Sequence, residues 1–124
     1  MAEKIDKPTL VIGASPKPER YSNMAVESLL KYGHTVYALA KRNNIIYGVD
    51  IANEPQALNN IHTVTMYLRD YGQRELQDYI LSLHPKRIIF NPGAENSELE
   101  GMAKAKGIEV NNACTLVMLS TNHY

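Results

Sequence analysis

The sequence predicts an α/β fold. Three observations predict it: short apolar runs bounded by turn residues, segments of helical periodicity between those runs, and a small-residue turn joining the first run directly to the first helix. Thr9-Leu10-Val11-Ile12 reads as a buried strand and Gly13-Ala14-Ser15 as a tight turn. The segment after Arg20 is helical, with Ala25, Val26, Leu29 and Leu30 on one face and Gly33 where a C-terminal cap belongs. Thr35-Val36-Tyr37-Ala38-Leu39 is the second strand. Asn43-Asn44 and Gly48 mark turns around the apolar pair Ile45-Ile46. Pro55, tolerated at a first helical position, predicts one short helical turn over Glu54-Pro55-Gln56-Ala57-Leu58.

Thr63-Val64-Thr65-Met66-Tyr67-Leu68 is β-branched and aromatic, as a central strand should be. The helix after it has Asp70 and Gln73 at capping spacing and Leu76, Tyr79, Ile80 and Leu83 as its buried stripe; Pro85 ends it. Lys86-Arg87-Ile88-Ile89-Phe90-Asn91 is another buried strand, closed by Pro92-Gly93. Ser97 and Glu100 have capping-box spacing ahead of a helix that Gly107 closes, and Ile108-Glu109-Val110 is a short last strand. Strands alternating with helices imply right-handed crossovers. The expectation is one Rossmann-like domain over residues 1–124, doubly wound, with a mostly parallel sheet of five to six strands, helices on both faces, and a loose tail over residues 1–7.

A chain of 124 residues has length for one core. Its formal net charge is zero and its pI near 6.9, which excludes the global field of a nucleic-acid binder. No apolar run reaches membrane-spanning length, and Met1–Lys7 lacks the apolar core of a signal peptide. The lone Cys114 suits a reducing compartment. A soluble cytoplasmic protein is expected, without nucleic-acid or membrane partners.

Ligands of an open parallel sheet bind beyond the carboxyl ends of its strands. Strand one delivers Gly13, Ala14 and Ser15 there, with Arg20, Ser22 and Asn23 at the approach to the helix. Strand two delivers Ala40, Lys41 and Arg42; the middle strand Tyr67, Arg69 and Asp70; the next Asn91, Pro92 and Gly93. A strand–turn–helix junction aims backbone N–H groups at one spot and favours a phosphate. The junction keeps only the first glycine of the dinucleotide fingerprint, and Pro16 and Pro18 stiffen it. An NAD site wants a carboxylate after strand two, whereas Lys41-Arg42 suits a phosphorylated ribose, as in NADP or coenzyme A. The same pair also fits a solvated turn.

Gly13-Ala14-Ser15-Pro16 with Arg20 and Ser22, Gly33-His34-Thr35-Val36-Tyr37, Asn91-Pro92-Gly93-Ala94-Glu95, Gly107-Ile108-Glu109-Val110 and Cys114 together resemble the stand-alone CoA-binding domain family, from about Pro8 to Leu119. These are small bacterial proteins related to the CoA-binding domain of the succinyl-CoA synthetase α subunit. The resemblance implies a bound CoA or acyl-CoA, its pyrophosphate against Gly13–Ser15 and Arg20–Asn23 and its adenosine phosphate near Lys41-Arg42. The chain departs from the family pattern at Leu39-Ala40, where Asn-Pro is common, at Asn112-Ala113 before Cys114, and at Asn91, where glutamine is common.

No nucleophile elbow, carboxylate pair or metal spacing is present, and His34, His62, His84 and His123 have no evident orienting carboxylate. Cys114 fits a small buried residue better than a reactive thiol. Tyr21, Tyr37, Tyr47 and Tyr67 are each compatible with stacking on adenine, with core packing or with a dimer face. The leading expectation is a CoA or acyl-CoA binder without catalysis of its own. The alternatives are a small NADP-dependent oxidoreductase or fragment, and a decayed site serving as an interaction module, such as a homodimer.

Overall fold

The computed structural model describes residues 5–124, in which strands and helices alternate as β1 (Thr9–Ile12), α1 (Tyr21–Lys31), β2 (Val36–Leu39), β3 (Asn44–Ile46), β4 (Val49–Ala52), β5 (Thr63–Met66), α2 (Asp70–Gln73), α3 (Gln77–Ser82), β6 (Arg87–Phe90), α4 (Ser97–Ala105), β7 (Glu109–Asn112) and α5 (Thr115–Ser120). A 3-10 turn, Arg74–Leu76, joins α2 to α3. The strands form one sheet in the order β3-β4-β2-β1-β5-β6-β7, parallel throughout except for β3 on β4. It is an α/β Rossmann-like architecture, with seven strands among the described residues rather than the expected five to six. No helix among those residues is long and apolar enough to cross a membrane.

Strand alternation sends side chains to two faces. Leu10, Ile12, Val64, Met66, Ile88 and Phe90 pack with Ile80, Leu99 and Ala103 on one face, while Val11, Val36, Ala38 and Ile51 pack with Val26, Leu29 and Leu119 on the other. The second face also buries a file of polar groups. Arg87 Nε donates to Thr63 Oγ1 at 3.1 Å, and the hydroxyls of Thr65 and Thr115 meet at 2.7 Å. Tyr124 closes this file at the amino ends of the strands: its hydroxyl meets Thr9 Oγ1 at 2.5 Å, its carbonyl accepts from Lys7 Nζ, and its ring lies 4.3 Å from the Arg87 guanidinium.

The added strands come from a hairpin. Ile45-Ile46 sits in β3 rather than between turns, and Tyr47-Gly48 joins it to β4. The expected helical turn over Glu54–Leu58 is irregular; the Gln56 carbonyl accepts from Tyr79 Oη at 2.6 Å and the Glu54 carbonyl from Gln56 Nε2 at 2.9 Å. Asn96, not Ser97, caps α4, its side chain accepting from Leu99 N–H at 3.1 Å. Gln73 does not cap α2 either: it is fully buried and donates to the carbonyls of Leu68 and Ala94. Of the expected loose tail, Asp6 accepts from Thr35 N–H and hydroxyl at 2.7 and 2.5 Å, and Lys7 N–H donates to His34 Nδ1 at 3.0 Å. The Thr35 hydroxyl is the main cause holding the Asp6 carboxyl below its ordinary range. Residues 1–4 of that tail lie outside the described residues.

Tyr124→Ala removes the ring from Arg87 and the partner of Thr9, and is expected to cost about 3 kcal/mol in urea unfolding. His62 is held below its ordinary 6.5, first by burial and then by Arg87, Lys7 and Lys86. The folded chain therefore binds fewer protons there than the unfolded one, and stability falls as pH drops through 6.5. His62→Gln is expected to flatten that slope, measured by unfolding midpoints on either side of this pH.

Candidate functional site

The turn after β1 begins at Gly13, with φ +91. A Cβ there would lie 3.1 Å from Leu68 Cδ2 and 3.2 Å from the backbone of Tyr67 and Leu68, so the conformation calls for glycine and the space beside it is tight. The N–H groups of Gly13 and Ala14 both donate to the Leu39 carbonyl, at 2.8 and 3.3 Å. These two donors thus face the sheet, not a ligand. Ser15 is different. Its hydroxyl accepts from Lys17 N–H at 3.2 Å and its carbonyl from Asn23 Nδ2 at 2.8 Å, while its own N–H has no acceptor among the described residues.

Helix α1 starts at the same place with an open end. Its N-cap residue, Arg20, makes no side-chain cap and the first turn holds no acidic residue. The N–H groups of Tyr21, Ser22 and Asn23 meet no acceptor among the described residues. Unsatisfied donors and the positive end of the helix dipole coincide there.

A cleft of about 670 Å³ opens in front of these donors. It brings together Gly13, Ser15, Arg20 and Ser22 from the first turn, Lys41 and Arg42 from beyond β2, and Tyr67 and Pro92 from beyond β5 and β6. Lys17 and Tyr21 line it too. Among the described residues, four cations border the cleft and no carboxylate does, although the whole chain is formally neutral. A neighbouring slot of about 410 Å³ is mostly apolar, walled by Ile12, Leu39, Leu68 and Leu76, with Ala14 and Ala40 on its edge. Lys41 borders both, so the two cavities meet at the end of β2.

Three of the residues singled out in the sequence line neither cavity. Asn23 is 2% exposed, with both ends of its amide engaged: Nδ2 on the Ser15 carbonyl and Oδ1 on the Tyr47 hydroxyl at 2.5 Å. Asn91 is equally buried; Nδ2 donates to Thr65 Oγ1 at 2.7 Å and to the Met66 carbonyl at 2.9 Å, and Oδ1 accepts from Thr115 N–H at 2.8 Å. It ties β5 and β6 to the start of α5. Gly93, with φ +93, is an exposed turn residue whose N–H donates to Glu95 Oε1 at 3.0 Å.

Tyr67 reaches the cleft with a half-buried ring, while its hydroxyl, near those of Thr65 and Thr115, is buried without a well-formed hydrogen bond among the described residues. Burial is the main cause that pushes this phenol up, with Cys114 adding to it. Cys114 is half-buried at the start of α5. Among the described residues, no group of three His, Cys, Asp or Glu could hold a metal ion. Sequence reasoning missed Lys17; its signal was a cation held between two prolines in the turn itself.

Residues 7–120 match a family model described as a CoA binding domain. No match is found among curated proteins. Among solved structures, the chain is similar to the crystal structure of an uncharacterized protein at 42% identity and a TM-score of 0.94, covering 97% of this chain and 99% of that one. A hypothetical protein from Pyrococcus horikoshii OT3 shares the fold at 23% identity and a TM-score of 0.85, covering 94% and 83%. A protein from Thermus thermophilus does so at 19% and 0.83, covering 96% and 91%.

Asn91→Ala leaves Thr115 N–H without a buried acceptor and takes from the Thr65 hydroxyl one of its two buried partners. It is expected to lower stability by about 2–3 kcal/mol, read by chemical denaturation, while a ligand-contact role alone would leave stability unchanged.

Proposed function

The chain belongs to the CoA-binding domain family, and on that premise we propose that its cationic cleft holds coenzyme A or an acyl-CoA. One observation carries the reading: four cations and no carboxylate surround an uncapped helix N-terminus at the carboxyl edge of a parallel sheet. The pyrophosphate lies against the N–H groups of Ser15, Tyr21, Ser22 and Asn23, with Arg20 and Lys17 beside it. Gly13 and Ala14 shape this turn without donating.

Lys41 and Arg42 take the phosphate on the adenosine ribose. Adjacent parallel strands are about 4.8 Å apart, so the end of β2 is one strand from the pyrophosphate site. The apolar slot beside Lys41 takes the adenine between Leu39, Leu68 and Leu76. The pantetheine arm then runs past Tyr67 and Pro92 toward β6 and β7. The proposed role is binding, without a chemical step of its own.

Titration calorimetry with CoA and dephospho-CoA tests this. Charge-assisted contacts predict that CoA binds roughly tenfold or more tightly than dephospho-CoA, and that Lys41→Ala with Arg42→Ala abolishes the difference. Equal affinity of the unaltered protein for the two ligands would sink the assignment of Lys41 and Arg42.

A further inference from the structure

The β3–β4 hairpin turns through Tyr47 and Gly48, both with positive φ, +51 and +80. Two-residue turns of this kind favour Asn or Asp at the first position, because an ordinary side chain is strained there. This chain instead places tyrosine in the left-handed conformation. Strain of this sort persists where surrounding structure enforces it, and it clusters at sites that use it.

What Tyr47 gains is a contact with the candidate site. Its hydroxyl donates to Asn23 Oδ1 at 2.5 Å, and Asn23 Nδ2 donates to the Ser15 carbonyl at 2.8 Å. Asn23 is 2% exposed, so its amide has no water to fall back on. With Tyr47 donating, the Asn23 oxygen is fixed toward the hairpin and its nitrogen toward Ser15. The Ser15–Pro16 peptide is thereby held next to the Ala14–Ser15 peptide, whose N–H is free for the cleft.

We propose that Tyr47 is a positioning residue: through Asn23 it fixes the Ser15–Pro16 peptide, so that the anion-binding turn is formed before a ligand arrives. The proposal rests on the CoA reading of the cleft. Tyr47 lines neither cavity, so it acts without touching the ligand. Loss of its hydroxyl leaves a buried amide oxygen without a donor, and the Asn23 side chain is then free to turn over and release Ser15.

Two variants separate positioning from hairpin stability. Tyr47→Phe keeps the ring and the strained backbone and loses only the hydroxyl. It is expected to weaken CoA binding roughly three- to tenfold and to speed amide hydrogen exchange at Lys17 and Arg20, whose N–H groups bond within the turn of the free protein. Tyr47→Asn also loses the hydroxyl but suits the left-handed position, so it is expected to melt higher than Tyr47→Phe while losing affinity to the same extent. Equal loss of affinity at unequal melting temperatures is the signature that a purely structural role does not produce. Wild-type affinity and exchange in Tyr47→Phe overturn the proposal, as does a loss of affinity that simply tracks a fall in melting temperature in both variants. If the unaltered chain binds no CoA, the reading of the cleft fails, and hydrogen exchange decides by itself: faster exchange in Tyr47→Phe supports the positioning role, and unchanged exchange ends it.

Discussion

The rest of the site depends on the left-handed turn at Gly13, wedged against the backbone of Tyr67 and Leu68. It lets two successive N–H groups converge on the Leu39 carbonyl, which binds the ends of β1 and β2 together. The chain then leaves the sheet sharply enough for α1 to begin over the cleft. Lys41 and Arg42 follow Leu39 by two and three residues, so the same carbonyl that anchors the turn also sets the basic pair beside it. One conformation, open only to glycine, thus brings helix end and cations to a single cleft.

The walls of the cleft are held by buried amides whose polar atoms are spent within the chain. Asn91 joins β5, β6 and α5, and Gln73 donates to the carbonyls of Leu68 and Ala94 while accepting from Asn96 at 2.9 Å. Networks satisfied in this way resist rearrangement, because breaking one bond strands a buried partner. The cations have no such constraint. Lys17, Arg20, Lys41 and Arg42 are exposed and keep their donors for solvent or an anion, which divides the labour between a rigid frame and a cationic rim.

Most of the parallel sheet was legible in the sequence because Leu10–Ile12, Val36–Leu39, Thr63–Met66 and Ile88–Phe90 are short, β-favouring runs between plain turn residues. The hairpin was not. Its first strand offers two apolar residues, and tyrosine stands where a turn signal would be read. The Glu54–Leu58 segment carried a helical start signal, but its carbonyls are met by side chains, one of them from a tyrosine over twenty residues away. Topology placed Gly13, Ser15, Lys41, Arg42, Tyr67 and Pro92 at strand ends and Arg20 and Ser22 at the approach to the first helix, and these residues border one cleft. Asn23 and Asn91 occupy comparable positions in the chain yet point inward. Periodicity says which residues stand at a strand end; it does not say whether an amide there faces the cleft or the frame.

The most direct test is the backbone amide spectrum of the protein during titration with CoA. The account predicts the largest shifts at Ser15, Tyr21, Ser22 and Asn23, whose N–H groups are open, with smaller ones at Gly13 and Ala14, whose N–H groups stay on the Leu39 carbonyl. Largest shifts at Gly13 and Ala14, or at residues remote from α1, would contradict it.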